Sequence, residues 1–356
     1  MNNLADIPIG LSYDDVLLVP QYSKIKSRSD VSLSTQITPR VKLNIPLISI
    51  NMSDVTGIEM AITLGKLGGL GFLPRFEIAE NQAEMVNQVK KANVSVGAAV
   101  GCKDGYLERA EALVKAGVDI ITLDVAHAGM QQAIEATNNL KVRFGNFVDI
   151  VSGVVGTYES AADLFKAGAD SVRVGVGPGT ICITRTQTGF GVPQISAVLD
   201  CARAARKYKK TILCDGGTKN SGDIVKGLAA GASAVLMGSQ FAGHDEAPGK
   251  LIVKNGIKYK IYNASTSLTE KKKHTKDLKC LPETYINHIE GVESLVEHKG
   301  PLSSSVEKWL ANIRSGLSYA GAKNIENLWK NAKFIRVTSL GMKENGAHDV
   351  LLYNAQ

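Results

Sequence analysis

The run Ala161-Ala162-Asp163-Leu164-Phe165-Lys166-Ala167-Gly168-Ala169-Asp170-Ser171-Val172-Arg173-Val174-Gly175 decides how the chain is read. A helical stretch stops at a glycine, where positive φ costs little, and a short apolar run follows at once. The same order occurs at 110–117 leading into 118–124 and at 224–231 leading into 232–238. Continuous apolar runs, as opposed to alternating ones, suit parallel strands buried on both faces. Such strands are predicted near 47–51, 69–74, 95–100, 118–124, 147–152, 170–175, 211–215 and 234–238, with helices between most of them. Eight strand-helix units predict an α/β chain folded as one (β/α)8 TIM barrel over 1–356. The alternative is an open doubly wound sheet. That fold usually places a glycine-rich nucleotide turn after its first strand, whereas here the glycines cluster late. Two regions interrupt the barrel pattern. One is the loop 175–192 after the sixth strand. The other is the polar, lysine-rich insertion 244–303 after the eighth, whose position on the C-terminal face predicts a lid.

With 356 residues, 44% hydrophobic and 21% charged, the chain reads as a soluble globular protein with a substantial core. No stretch approaches the roughly 20 apolar residues that a membrane span needs. The N-terminus lacks a basic segment followed by an apolar one, so no secretory signal is expected. The formal charge is +7, part of it in the run 271–276, which alone reads as a solvated surface segment. A basic balance also suits anionic small molecules such as nucleotides. No aromatic residues interleave the lysines, so nucleic acid is not expected as a partner. The five cysteines, Cys102, Cys182, Cys201, Cys214 and Cys280, are odd in number and lack paired ligand spacing. That pattern fits reduced thiols in the cytoplasm, at most one of them catalytic.

Cys182 stands out among them. It ends Gly175-Val176-Gly177-Pro178-Gly179-Thr180-Ile181-Cys182, with Gly189 and Gly191 beyond. A glycine-rich loop brings backbone amides and carbonyls close to a ligand or ion, and a cysteine presented there can be activated as a thiolate. For an arbitrary cysteine the ordinary reading is a buried small hydrophobe. Cys214-Asp215-Gly216-Gly217 closes the seventh strand and Met237-Gly238-Ser239 the eighth. These strand ends form the usual phosphate site of a barrel, where glycines expose N–H groups to an anion. An aspartate there could hold a ribose diol. The plainer reading is two tight turns. Asp124 ends the fourth strand, where it either faces the active site or caps the next helix. His127 alone reads as structural.

Together these segments resemble the IMP dehydrogenase and GMP reductase family over nearly the whole chain. The resemblance is carried by the opening Leu11-Ser12-Tyr13-Asp14-Asp15-Val16-Leu17-Leu18-Val19-Pro20, by Val96-Gly97-Ala98-Ala99-Val100-Gly101, by Leu123-Asp124-Val125-Ala126, and by the cysteine loop with Gly191-Val192-Pro193-Gln194 and Asp215-Gly216-Gly217. It implies that Cys182 attacks purine C2 to form a covalent thioimidate, with Thr184 assisting proton transfer. It places Thr180, Asp215, Gly216, Gly217, Gly238 and Ser239 on the nucleotide's ribose and phosphate, and Ser265 and Gly291 at its base. It puts Arg75, Asp124, Val125 and Ala126 beside the nicotinamide cofactor. It implies a potassium ion held at Gly177, Gly179, Cys182 and Arg185, and a homotetramer.

The family's two branches share the covalent intermediate and then part. The dehydrogenase branch oxidises IMP with NAD and hydrolyses the intermediate, using an Arg-Tyr pair on a mobile flap to activate water. The reductase branch expels ammonia from GMP and accepts hydride from NADPH to give IMP. No arginine lies between Arg206 and Arg314, so the insertion lacks that pair. Lys272-Lys273-His274 followed by Glu290-Gly291 resembles the reductase lid, in which the glutamate works with the threonine on ammonia. Val296-Glu297-His298-Lys299-Gly300 and Leu317-Ser318-Tyr319-Ala320-Gly321 point the same way, as does the absence of inserted regulatory modules between the early strands. The tail Glu344-Asn345-Gly346-Ala347-His348-Asp349-Val350 is instead similar to a dehydrogenase tail, and Asn287 stands near the place of a nucleotide-contacting arginine. The resemblance therefore implies NADPH-dependent reductive deamination of GMP, with the dehydrogenase as the alternative. A purely nucleotide-binding regulator would have no use for Cys182, Thr184 and Glu290.

Overall fold

The eight apolar runs pair in parallel and in chain order, and the last pairs with the first. The computed structural model describes residues 7–270, 288–347 and 350. The lysine run at 271–276, Cys280, Asn287, His348 and Asp349 lie outside the described residues. The strands are β1 (Leu47–Ser49), β2 (Leu70–Leu73), β3 (Val96–Val100), β4 (Ile120–Asp124), β5 (Asp149–Val155), β6 (Ser171–Val174), β7 (Thr211–Asp215) and β8 (Ala234–Met237). They form a closed barrel, sealed where Val235 of β8 registers with Leu47 of β1. Closure removes the open-sheet alternative. The helices are α1 (Ile58–Lys66), α2 (Ala79–Lys91), α3 (Tyr106–Lys115), α4 (Gln131–Phe144), α5 (Tyr158–Lys166), α6 (Gln194–Tyr208), α7 (Ser221–Ala229) and α8 (Leu302–Tyr319). The last of these packs against both α7 and α1 and so completes the outer ring.

The repeated helix-glycine-strand unit has a local cause. At the start of α5 the Thr157 hydroxyl accepts the Ser160 N–H. At its end Gly168 adopts φ +104°. Its N–H reaches Phe165 O at 3.1 Å, and the Ala169 N–H reaches Leu164 O at 3.0 Å. The helix's last carbonyls are thereby satisfied, and the chain turns directly into β6. Ala161, Ala162, Leu164 and Phe165 are buried on the face of α5 that covers the sheet.

Ile48, Leu70, Phe72, Ile120, Val151, Leu213, Ala234 and Leu236 form one interior cluster. The hairpin Thr35–Gln36/Lys42–Leu43 adds Ile37, Val41 and Leu43 to it and plugs that end. Burial of each large side chain contributes about 1.5–3 kcal/mol. Solid packing here leaves the opposite, C-terminal rim for chemistry.

The described part of the insertion after β8 holds a sheet of its own. Leu251–Lys254, Ile257–Asn263 and Glu293–Glu297 form an antiparallel three-stranded sheet. Asn255 (φ +54°) and Gly256 (φ +76°) make the hairpin turn, an Asn-Gly signal of the kind that favours a two-residue type I′ connection. The sheet is fastened to the barrel rim. Buried Lys260 donates to the carbonyls of His244 (3.0 Å), Asp245 (3.2 Å) and Ala247. Asp54, after β1, accepts the Asn263 N–H at 3.0 Å.

The interior is filled so closely that a Cβ on Gly97 would stand 2.1 Å from the Phe72 ring. Gly97→Ala is therefore expected to destabilise the protein by about 1–3 kcal/mol through overpacking. Urea denaturation checks this, and an unchanged midpoint would contradict the packing described.

Candidate active site

The loop after β6 is joined by backbone to the segment that leads into the third strand of the insertion. Cys182 and Gly291 form an antiparallel bridge, Ile183 N–H donates to Glu290 O at 2.9 Å, and Val292 N–H donates to Ile181 O at 3.1 Å. This pairing brings together side chains more than a hundred positions apart. Cys182 Sγ lies 3.2 Å from Thr184 Oγ1, and Thr184 Oγ1 donates to Glu290 Oε2 at 2.5 Å. Because the threonine hydrogen is committed to the carboxylate, the thiol hydrogen points toward the threonine oxygen. The result is a directed path for a proton from sulfur to carboxylate.

A cavity of about 260 Å³ opens over Cys182 at the C-terminal rim. Among its lining residues are Arg75, Asp124, Val125, Ala126, Gly177, Gly179, Thr180, Asp215, Gly216, Gly217, Gly238, Ser239, Ser265 and Glu290, all anticipated from the sequence. Thr184 sits behind Cys182 and Glu290, and Gly291 pairs with the cysteine through backbone. Arg185 turns away from the cavity, donating from Nη2 to Val192 O at 2.9 Å.

One end of the cavity is built for an anion. Gly216 and Gly217 adopt φ +83° and +82°, a conformation that only glycine takes readily. Across from them Thr180 Oγ1 lies 3.3 Å from Ser239 Oγ. The hydroxyl of buried Tyr262 crowds Gly238, where a Cβ would be 2.5 Å away. Behind the turn Tyr13 OH meets Cys214 Sγ at 3.0 Å, which explains why the opening segment and the β7 end belong to one structure.

Arg173 fixes the acidic groups. It is buried at the end of β6, donating from Nε to Asp215 Oδ2 at 2.9 Å and from Nη1 to Asp124 Oδ1 at 3.2 Å. Arg75 approaches Asp124 from the rim at 3.5 Å. Burial works against the Asp124 carboxylate, but Arg173 and then Arg75 outweigh it and hold its pKa below the usual range. Burial raises Asp215, with Arg173 opposing. Asp124 thus lines the cavity and does not cap the next helix, since α4 begins only at Gln131 with Met130 as its cap.

The other described thiols are poor nucleophiles. Burial raises Cys201 and Cys102 and pushes Cys214 up to about 11. Cys102 lies in the turn after β3 and not within a helix or strand, yet it is buried all the same. Cys182 is only partly buried and faces the cavity.

Arg173, Asn51 and Tyr262, which line the same cavity, were not anticipated from the sequence. Arg173 was visible as a charge within a fully apolar strand, a position a parallel strand gives to arginine only when acids await it. Tyr262 lies in a hairpin that the Asn255-Gly256 dipeptide announces. Asn51, directly after β1, carries no local signal.

A barrel whose sixth-strand loop offers a cysteine to a cavity ending in a glycine-built anion turn defines a nucleotide-handling α/β enzyme. The family model for the IMP dehydrogenase / GMP reductase domain matches residues 10–348, and the chain belongs to that family. Relatives of both names are similar to it. An inosine-5′-monophosphate dehydrogenase of Nitrosopumilus maritimus is 32% identical over 471 aligned residues, covering 96% of this chain and 99% of the relative. A GMP reductase of Leishmania donovani is 32% identical over 492, covering 98% and 99%. Both alignments are longer than the chain, so these relatives hold inserted residues that it lacks. A crystal structure of a cysteine-to-alanine variant of GMP reductase from Trypanosoma brucei, in complex with guanosine 5′-monophosphate, superposes with a TM-score of 0.93. It is 30% identical, covering 99% of this chain and 100% of that one.

Removing Arg173 would leave buried Asp215 without its cation and Asp124 with Arg75 alone. Arg173→Met is expected to cost about 3–5 kcal/mol at neutral pH. Without the cation the Asp215 carboxyl would keep a folded-state pKa above its unfolded one, raised by burial. Its contribution is then present at low pH and lost as pH rises through the folded value. Denaturation at neutral and at mildly acidic pH checks the sign, and a deficit that grows on acidification would contradict the arrangement.

Proposed function

We propose that the chain is a GMP reductase, carrying out NADPH-dependent reductive deamination of GMP to IMP and ammonia. The observation that carries this reading is the contact chain from Cys182 through Thr184 to Glu290, in an insertion that contains no arginine. The thiol proton moves through Thr184 to Glu290, and the thiolate attacks purine C2. Glu290 then returns the proton through Thr184 to the departing amino group, so ammonia leaves as a neutral molecule. The products of this step are the Cys182 thioimidate and ammonia. Asp215 is positioned for the ribose, and Gly216, Gly217, Gly238 and Ser239 for the phosphate, with Thr180 and the Tyr262 hydroxyl closing that end. Ser265 and Gly291 are assigned to the base.

NADPH supplies hydride to C2 when bound. Its nicotinamide would be held by Asp124, Val125, Ala126 and Arg75. The residues fit: Asn51 lines the same cavity, and its buried Oδ1 has no hydrogen-bond partner among the described residues. That oxygen can accept an amide N–H such as the one a carboxamide offers. A potassium ion suits the carbonyls of Gly177, Gly179, Cys182 and Arg185, which are hard oxygen donors. The Gly179 carbonyl accepts the Cys182 N–H and the Arg185 carbonyl accepts the Gly189 N–H, each with one lone pair left over. We further assign the chain a homotetrameric state and a cytoplasmic location, consistent with its reduced thiols. No helix among the described residues is long and apolar enough to cross a membrane.

The second reading is an IMP dehydrogenase with a different water activator. It is favoured by the tail segment 344–350 and by relatives of that name at equal or higher identity. A spectrophotometric assay with GMP plus NADPH, run beside IMP plus NAD, separates the two. Oxidation of NADPH with GMP is expected, and NADH formation from IMP would overturn the assignment. Cys182→Ala is expected to abolish turnover while leaving GMP binding near the wild-type value by calorimetry. Residual turnover close to wild type would contradict the covalent role.

A further inference from the structure

Glu290 is not the end of the contact chain. While Oε2 accepts from Thr184, Oε1 lies 2.5 Å from Nε2 of His288. The two side chains differ sharply in exposure, 60% for His288 and 14% for Glu290. An ionised carboxylate has no hydrogen to donate, so Nε2 carries it. Four groups therefore stand in series: a thiol, a hydroxyl, a carboxylate and a solvent-exposed imidazole.

We propose that His288 is the port through which this relay exchanges protons with water. It acts through Glu290 and does not touch the nucleotide, so it is a positioning and proton-supplying residue. The proposal rests on the reductase reading. In the first half-reaction the C2–S bond forms, the C2–N bond breaks, and the thiol's own proton leaves on ammonia. In the second, hydride from NADPH adds to C2 and the C2–S bond breaks, giving IMP and the Cys182 thiolate. The thiolate must regain a proton before the next turnover, yet Glu290 has already given up the one it held. One proton per turnover has to enter from solvent. Glu290 lines the cavity, so a bound nucleotide covers its cavity side and leaves the His288 side facing water. An imidazole can take a proton at one ring nitrogen and release one from the other.

The test compares His288→Gln and His288→Ala with wild type, using GMP at varied concentration and saturating NADPH. Glutamine preserves an N–H donor toward Glu290 but cannot cycle a proton. Both variants are expected to lose kcat by roughly tenfold or more, within the usual scale of acid-base assistance, with KM for GMP little changed. Added imidazole is expected to restore the alanine variant, which has room for it, and not the glutamine variant. A glutamine variant with wild-type kcat, a loss confined to KM, or an alanine variant indifferent to imidazole would each overturn the proposal. A wild-type enzyme that consumes no NADPH with GMP would overturn the reductase reading and this inference with it.

Discussion

Two backbone hydrogen bonds, Ile183 N–H to Glu290 O and Val292 N–H to Ile181 O, hold the site together. They weld the loop that follows β6 to the insertion that follows β8. Without them Cys182 and Thr184 belong to one element and Glu290 to another, with no reason to meet. The rest of the molecule can be understood as support for this pairing. Barrel closure brings the ends of β6 and β8 to one rim. Lys260 and Asp54 anchor the insertion's sheet there. The plug at the opposite end, with Ile37 and Val41, keeps the interior solid, and the cavity over Cys182 opens at the C-terminal rim.

Arg173 plays the complementary part on the barrel side. A parallel strand buried on both faces has no water to offer a guanidinium, so the cation must be neutralised by acids carried on its neighbours. Asp215 on β7 and Asp124 on β4 do this from two directions. The same ion triad that satisfies burial fixes the carboxylate assigned to ribose and the one assigned to the nicotinamide side. Stability and recognition are met here by one set of contacts. Cys182 is kept apart from this cluster, connected to Thr184 and Glu290, an arrangement suited to proton transfer more than to charge pairing.

Much of this was legible in the sequence. The glycine stops at Gly117, Gly168 and Gly231, followed by unbroken apolar runs, are local consequences of backbone chemistry, and they announced the eight strands. The glycine turns at Gly216-Gly217 and Gly238 could be placed because a barrel puts the ends of its seventh and eighth strands side by side. What could not be read locally were relations between distant segments. Nothing near Thr184 says that Glu290 will lie 2.5 Å away, and resemblance alone supplied that link. The triad around Arg173 depends on which strands are neighbours. The three-stranded sheet of the insertion was missed because its first strand is exposed along its whole length and its second is buried only toward its end, although Asn255-Gly256 marked its hairpin. Asn51 and His288 depend wholly on what the fold sets against them.

Under the proposed function Cys182, and no other thiol, carries the reaction. Limited alkylation with iodoacetamide, followed by peptide mass spectrometry and activity measurement on the same samples, tests this. Cys182 is expected to be carboxamidomethylated before Cys102, Cys201 and Cys214, activity to fall in proportion to its modification, and GMP to protect both. Full activity with Cys182 stoichiometrically alkylated would contradict it.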